Sequence, residues 1–187
     1  MTRRTYMQQI MTLPNLMSLL RIALIPMIIA AFASGSELRC AMLIILSGLT
    51  DVVDGWIARH WNAVSDVGKV LDPGADKLTQ LAMLWMLLSS HPLMALPLAV
   101  LVIRESVMAC TGLICVVRTR EVRSARWHGK ITTLLLYTCA FVHILWQEIP
   151  AAVSNTLIGI CVLAQLVSLV MYTRDNICCI RQAKGGS

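Results

Sequence analysis

Charge is scarce in this sequence. Only 14% of its 187 residues are Asp, Glu, Lys or Arg, and 57% are hydrophobic. A soluble domain carries about a quarter charged residues, so a water-soluble globular protein is excluded as the first reading. A mean hydropathy of +0.72 points instead to an integral membrane protein. Cysteine is not short, at seven residues, but it lacks pattern. No C-x-x-C occurs and the count is odd, which argues against a disulfide framework or a zinc site. Cys40, Cys110, Cys115, Cys139 and Cys161 read as packed free thiols, and Cys178-Cys179 as a chance pair. His60, His91, His128 and His143 are dispersed without ligand spacing, so no chemistry is assigned to them. Aromatics are only 5% of the chain, and its five tryptophans read as interface anchors and core. There is no internal repeat and no low-complexity linker. Nothing here suggests a nucleic-acid partner.

What the chain does have is long apolar runs. They cover roughly Leu13–Ala33, Cys40–Ala58, Val67–Leu88, Leu93–Val117, Ile131–Trp146 and Ala151–Tyr172. Each approaches the ~20 residues needed to span a bilayer core. The fold class expected is an all-α integral membrane protein with six transmembrane helices. Residues 13–173 form its single domain. Residues 1–12 form a short amphipathic juxtamembrane segment, and 174–187 a polar tail that frays. The Lys/Arg bias sets the orientation. Arg3, Arg4, Arg59, Arg118, Arg120, Arg123, Arg126, Arg174, Arg181 and Lys184 all fall at one side, and only Arg39 at the other. Both termini are therefore expected in the cytoplasm, and the chain in the cytoplasmic (inner) membrane. Arg3, Arg4 and Ala31-Phe32-Ala33 imitate a signal peptide, but Asn15, Ser18 and Arg21 inside the run argue against cleavage.

The scarce acidic residues are not scattered. Asp51 and Asp54 lie in the second apolar run, Asp72 and Asp76 in the third. With a short polar turn near His60–Asp66, Asp54 and Asp72 sit about 9 Å in from that turn. Asp51 and Asp76 sit about 14–15 Å in. The i,i+3 and i,i+4 spacings put each pair on one helix face. Four carboxylates would then converge on one pocket in the cytoplasmic half of the membrane. Unpaired, each costs about 2.5–3.5 kcal/mol at a helix centre, and their repulsion adds to that. A hard divalent cation, Mg²⁺ or Mn²⁺ (or Ca²⁺), offsets the charge and prefers oxygen ligands. Pairing with Arg59, Lys69 and Lys77 alone would account for one such aspartate, not for four at matched depth. Gly55, Gly68, Gly74 and Ala75 leave room for a ligand or a neighbouring helix.

The segment reads Asp51-x2-Asp54-Gly55-x2-Ala58-Arg59-x8-Gly68-x3-Asp72-x3-Asp76. It resembles the signature of the CDP-alcohol phosphatidyltransferases at every fixed position. The resemblance implies metal-dependent transfer of a phosphatidyl group from CDP-diacylglycerol to an acceptor hydroxyl, with release of CMP. It implies that Asp51, Asp54, Asp72 and Asp76 hold one or two divalent ions, and that Asp76 is also the general base. It assigns Gly55, Ala58, Arg59 and Gly68 to the cytidine nucleotide, and a homodimer is expected by the same likeness. The chemistry agrees, since attack on a phosphoanhydride needs charge on the phosphate oxygens, positioning, and a base at the hydroxyl.

Other residues are drawn in. Asn15, Ser18 and Arg21 are spaced by three on the first helix, which is similar to the pattern of bacterial members. Asn15 and Ser18 would contact the nucleotide, and Arg21 would neutralise the carboxylates rather than snorkel to the surface. Arg104-Glu105 resembles a pair in phosphatidylglycerophosphate synthases. As neighbours on a helix they point to different faces and are not expected to pair with each other. Arg104, Arg118 and Lys130 are the cations left for the acceptor or for charge support, and the loop around 118–130 would attract anionic lipid head groups. Phosphatidylglycerophosphate synthases often carry a lysine two residues after the equivalent of Lys130, where this chain has Thr132. Glycerol 3-phosphate is the leading acceptor. The alternatives are phosphatidylglycerol, as in a CMP-forming cardiolipin synthase, or, in another class, an ion or proton transporter. A transporter would place its carboxylates near the midplane, with repeated halves.

Overall fold

The computed structural model describes residues 13–60, 68–119 and 127–185. Within them, the side chains of 13–15, 51–52, 54–60, 68–72, 116, 118–119, 127–128 and 179–185 are outside the description. The expected juxtamembrane segment, residues 61–67 of the expected turn region and the arginines at 120, 123 and 126 lie outside the described residues.

Every regular element among the described residues is helical. The helices are α1 (Leu13–Ala33), α2 (Glu37–His60), α3 (Gly68–Leu87), α4 (Ala95–Thr119), α5 (Trp127–Leu145) and α6 (Ala151–Gly185), with a 3-10 turn at Pro92–Met94. Each apolar run of the sequence has become one helix. Leu16–Ala33, Pro92–Cys115 and Ala151–Cys178 are long and apolar enough to cross a membrane, and Gly129–Leu145 is a shorter apolar helix.

The chain divides into two compact units, Met1–Met86 and Leu87–Ser187. In the first, α1 packs against α2. The hairpin between them is set by Gly35, whose φ of 70° is left-handed. Gly35 N–H donates to Phe32 O at 2.9 Å and Ser36 N–H to Ala31 O at 3.1 Å, the paired bonds of a Schellman cap. A side chain at Gly35 would strain that φ. Glu37 then opens α2 with a negative charge at the positive end of its dipole. The buried stripe of α1 is Ser18, Arg21, Leu24 and Ile28, and that of α2 includes Cys40, Ile44 and Ser47.

In the second unit, α6 packs against both α4 and α5. Its buried stripe is Ser154, Ile158, Cys161, Gln165 and Ser168. Their spacing of four and three repeats the seam of a close helix pair, and small or polar residues let backbones approach. Polar bonds cross the seams: Asn176 Nδ2 donates to Thr111 Oγ1 at 2.8 Å, and Thr132 Oγ1 to Ala164 O at 3.4 Å. Gly129 on α5 faces Tyr172 so closely that an added Cβ would lie 2.6 Å from the phenol oxygen.

The tail expected to fray after Tyr172 continues α6 to Gly185. No proline or glycine interrupts residues 173–184, and Asn176 is tied to α4. A helix of 35 residues is about 52 Å long, so it outruns a bilayer core of about 30 Å.

Two of the histidines that look dispersed in the sequence meet here. The rings of His91 and His143 sit edge to face, 4.9 Å apart. His143 is fully buried, with Nδ1 2.7 Å from Cys139 O and Nε2 2.9 Å from Ser154 Oγ. A carbonyl can only accept, so Nδ1 carries a proton toward Cys139 O, and Nε2 meets the Ser154 hydroxyl. The pair staples the end of α5 to the start of α6. His91 lies just before α4, and its buried Nδ1 has no hydrogen-bond partner. Burial first, and then electrostatic repulsion from the neighbouring His143 ring, hold the His91 imidazole below its ordinary value of 6.5.

An unfolded chain therefore takes up a proton near pH 6.5 that the folded one resists. Stability is full above that pH and falls as the pH drops toward the folded value. Thermal melts at pH 7.5 and 5.5 are expected to show a lower melting temperature in acid. His91→Phe, which keeps an edge-to-face ring, should lose less; an equal acid loss in both proteins would remove His91 as the cause.

Candidate functional site

The site reading rests on the first unit. Asp51 and Asp54 stand on α2, in register with its buried Ser47 at spacings of four and seven. Asp72 and Asp76 stand on α3, one turn apart. Gly55, Ala58 and Arg59 continue α2 toward its end, and Gly68 opens α3. Asn15, Ser18 and Arg21 occupy the first turns of α1. The helix packing of this unit thus brings the helix of Ser18 and Arg21 against the helix of Asp51 and Asp54. The side chains of Asn15, Asp51, Asp54, Ala58, Arg59 and Asp72 lie outside the described residues.

Ser18 is fully buried and Arg21 is only 2% exposed. Arg21 is therefore an internal cation of this unit, not one reaching for the surface. An arginine held this way costs several kcal/mol to desolvate unless negative charge accompanies it.

α3 passes through Pro73 without ending, and next to it Gly74 is exposed, with nothing from the described residues beyond its own turn within 4 Å of where a Cβ would stand. Beyond Gly74 the helix turns polar on a buried face. Thr79 Oγ1 donates back to Ala75 O at 2.9 Å. Gln80 is fully buried, and its Nε2 donates to Asp76 Oδ2 at 2.7 Å. The other end of that amide, Oε1, is buried without a hydrogen-bond partner. A hydrogen bond to a charged group contributes about 1.5–3 kcal/mol, and an unsatisfied buried acceptor costs about 1–3 kcal/mol. The two roughly cancel, so Gln80 adds little net stability over an apolar side chain. The sequence held a signal for it: Gln80 follows Asp76 by four, one turn along the same face.

Arg104, Arg118 and Lys130 belong to the second unit. Arg118 is on α4, its side chain outside the described residues, and Lys130 is exposed on α5. Arg104 corrects the sequence expectation. Its Nη2 lies 2.5 Å and its Nε 3.0 Å from Glu105 Oε1, so the neighbours do pair. Their Cβ atoms diverge, but an arginine stem is long enough to bend its guanidinium back over the next residue. Arg104 is 2% exposed and its Nη1 is a buried donor with no hydrogen-bond partner.

Comparison with known proteins agrees with the motif. Residues 11–172 match the family model described as CDP-alcohol phosphatidyltransferase. Among curated relatives, a protein of Rickettsia bellii named CDP-diacylglycerol--glycerol-3-phosphate 3-phosphatidyltransferase is 42% identical over 96 residues, 50% of this chain and 53% of that protein. The chain thus spans about half the length of that relative. Proteins of the same name match further: that of Sodalis glossinidius is 31% identical over 144 residues, 73% of this chain and 78% of the relative. That of Bacillus subtilis is 40% identical over 137 residues, covering 65% and 70%. Matched along most of its length, with the eight-residue motif carried on α2 and α3, the chain belongs to the CDP-alcohol phosphatidyltransferase family.

Proposed function

We propose that this protein transfers a phosphatidyl group from CDP-diacylglycerol to glycerol 3-phosphate and releases CMP. The observation that carries the reading is the Asp51–Asp76 motif, lying inside the family match. The six helices serve as six membrane spans with both termini in the cytoplasm, and the carboxylates open to that side. This is the side on which the Lys/Arg excess falls.

The donor set fits a hard divalent ion, because it consists of carboxylate oxygens placed on apolar helices. Asp51, Asp54, Asp72 and Asp76 would hold one or two Mg²⁺ or Mn²⁺ ions. When bound, such an ion supplies positive charge to the diphosphate oxygens. Gly55, Ala58, Gly68, Asn15 and Ser18 make room for and contact the nucleotide, and Arg59 meets its phosphate charge. Asp76 takes the proton of the acceptor hydroxyl. The hydroxyl oxygen then forms its bond to the phosphorus bearing diacylglycerol, the anhydride bond to CMP breaks, and CMP leaves with the electron pair. Arg21 balances the carboxylates, and Arg104, Arg118 and Lys130 are the cations for the acceptor phosphate or for charge support. The enzyme works as a homodimer among membrane lipids.

One observation favours a second acceptor. The position two after Lys130 is Thr132, which is buried with its hydroxyl on Ala164 O, so it offers no cation. A lipid acceptor, phosphatidylglycerol, would make the protein a CMP-forming cardiolipin synthase. The test is CMP release by purified protein from CDP-diacylglycerol with Mg²⁺, offered glycerol 3-phosphate, phosphatidylglycerol or inositol species separately. Release with glycerol 3-phosphate is expected. Release with phosphatidylglycerol alone would replace the acceptor, and folded protein inert toward all three would end the reading.

A further inference from the structure

We propose that Gln80 is a positioning residue for Asp76 and sets how well that carboxylate meets the acceptor hydroxyl; this rests on the proposed role of Asp76. Gln80 is fully buried, one helical turn beyond Asp76, with Nε2 2.7 Å from Asp76 Oδ2. A carboxylate on a helix turns about two side-chain torsions. A donor fixed four residues on, and itself locked by burial, selects one setting of both. Thr79, one residue earlier, gives its hydroxyl hydrogen to the backbone oxygen of Ala75.

The amide is half satisfied. Its Oε1 is buried without a hydrogen-bond partner, which an apolar side chain of the same size would avoid. A residue placed only for packing would not carry that defect. What the defect leaves in place is an N–H aimed at Asp76. Gln80 touches no reacting atom in this arrangement; it acts through Asp76, whose orientation toward the acceptor decides the rate of attack.

The experiment compares the full chain in lipid–detergent micelles with Gln80→Met and Gln80→Leu, which remove the donor at similar volume. A third variant, Gln80→His, places a ring N–H near the same reach. Steady-state CMP release and thermal melts are read for each. The donor-free variants are expected to lose about tenfold in kcat, with KM for CDP-diacylglycerol within about twofold. Their melting temperatures should be equal to or above that of the original protein. Gln80→His should recover a substantial part of kcat. Unchanged kcat in Gln80→Met or Gln80→Leu overturns the proposal, as does a loss of kcat that the histidine variant shares in full. Failure of both donor-free variants to fold assigns Gln80 to packing and overturns it as well. If Asp76→Asn is inactive while Gln80→Met is normal, Gln80 alone fails. If the original protein releases no CMP, the functional reading fails and takes the proposal with it.

Discussion

Removing divalent cations is expected to abolish CMP release, by about a thousandfold or more, and added Mg²⁺ or Mn²⁺ should restore it. The physical case starts from cost. Asp51, Asp54, Asp72 and Asp76 sit on helices built from apolar runs, where each ionised carboxylate is expensive. Metal charge on phosphate oxygens is worth several kcal/mol in the transition state, and each 1.36 kcal/mol is tenfold in rate. Asp54→Asn should behave like chelation, with the difference that added metal does not rescue it. Full turnover in the presence of excess chelator would show that the carboxylates serve another purpose. Melting the protein with and without Mg²⁺ offers a second reading that does not depend on turnover. Bound metal should raise the melting temperature, because only the folded chain gathers the ligands.

The second large effect is expected at Asp76. Asp76→Asn should lower kcat by about 10²–10⁴, the usual contribution of general base catalysis, while CDP-diacylglycerol binding falls much less. The substitution is nearly isosteric, and the asparagine oxygen still accepts from the Nε2 that Gln80 now offers to Asp76. The fold around α3 should therefore survive, and the variant isolates chemistry from packing. Single-turnover CMP release and equilibrium binding of CDP-diacylglycerol measure the two sides separately. Asn at this position with normal turnover would move the base elsewhere.

The helices and the motif were legible before any coordinates. Leu13–Ala33 is both an apolar run and a helix, because a backbone in that setting has only its own partners for hydrogen bonds. The way α1 ends was not legible: the paired bonds from Gly35 and Ser36 to Phe32 and Ala31 define it only in the folded chain. The run of α6 past Tyr172 was misread from polarity alone. Polarity says that a segment leaves the membrane, not that it stops being a helix. The Arg104–Glu105 pair was misread from Cβ directions, which hold for short side chains and fail for a long flexible one.

The sequence by itself determined the family, the helical class and the four aspartates at matched helical spacing, since these depend on residue type and on a periodicity set by the backbone. It did not determine which polar residues become interior. Arg21 buried on the α1 stripe, Gln80 held to Asp76 with its oxygen unsatisfied, and His91 against His143 were decided by packing. His91 and His143 are far apart along the chain, and their approach depends on how α5 and the turn before α4 are packed. Local propensity carries no information about a contact whose strength comes from excluding water, because that exclusion exists only once the helices have met.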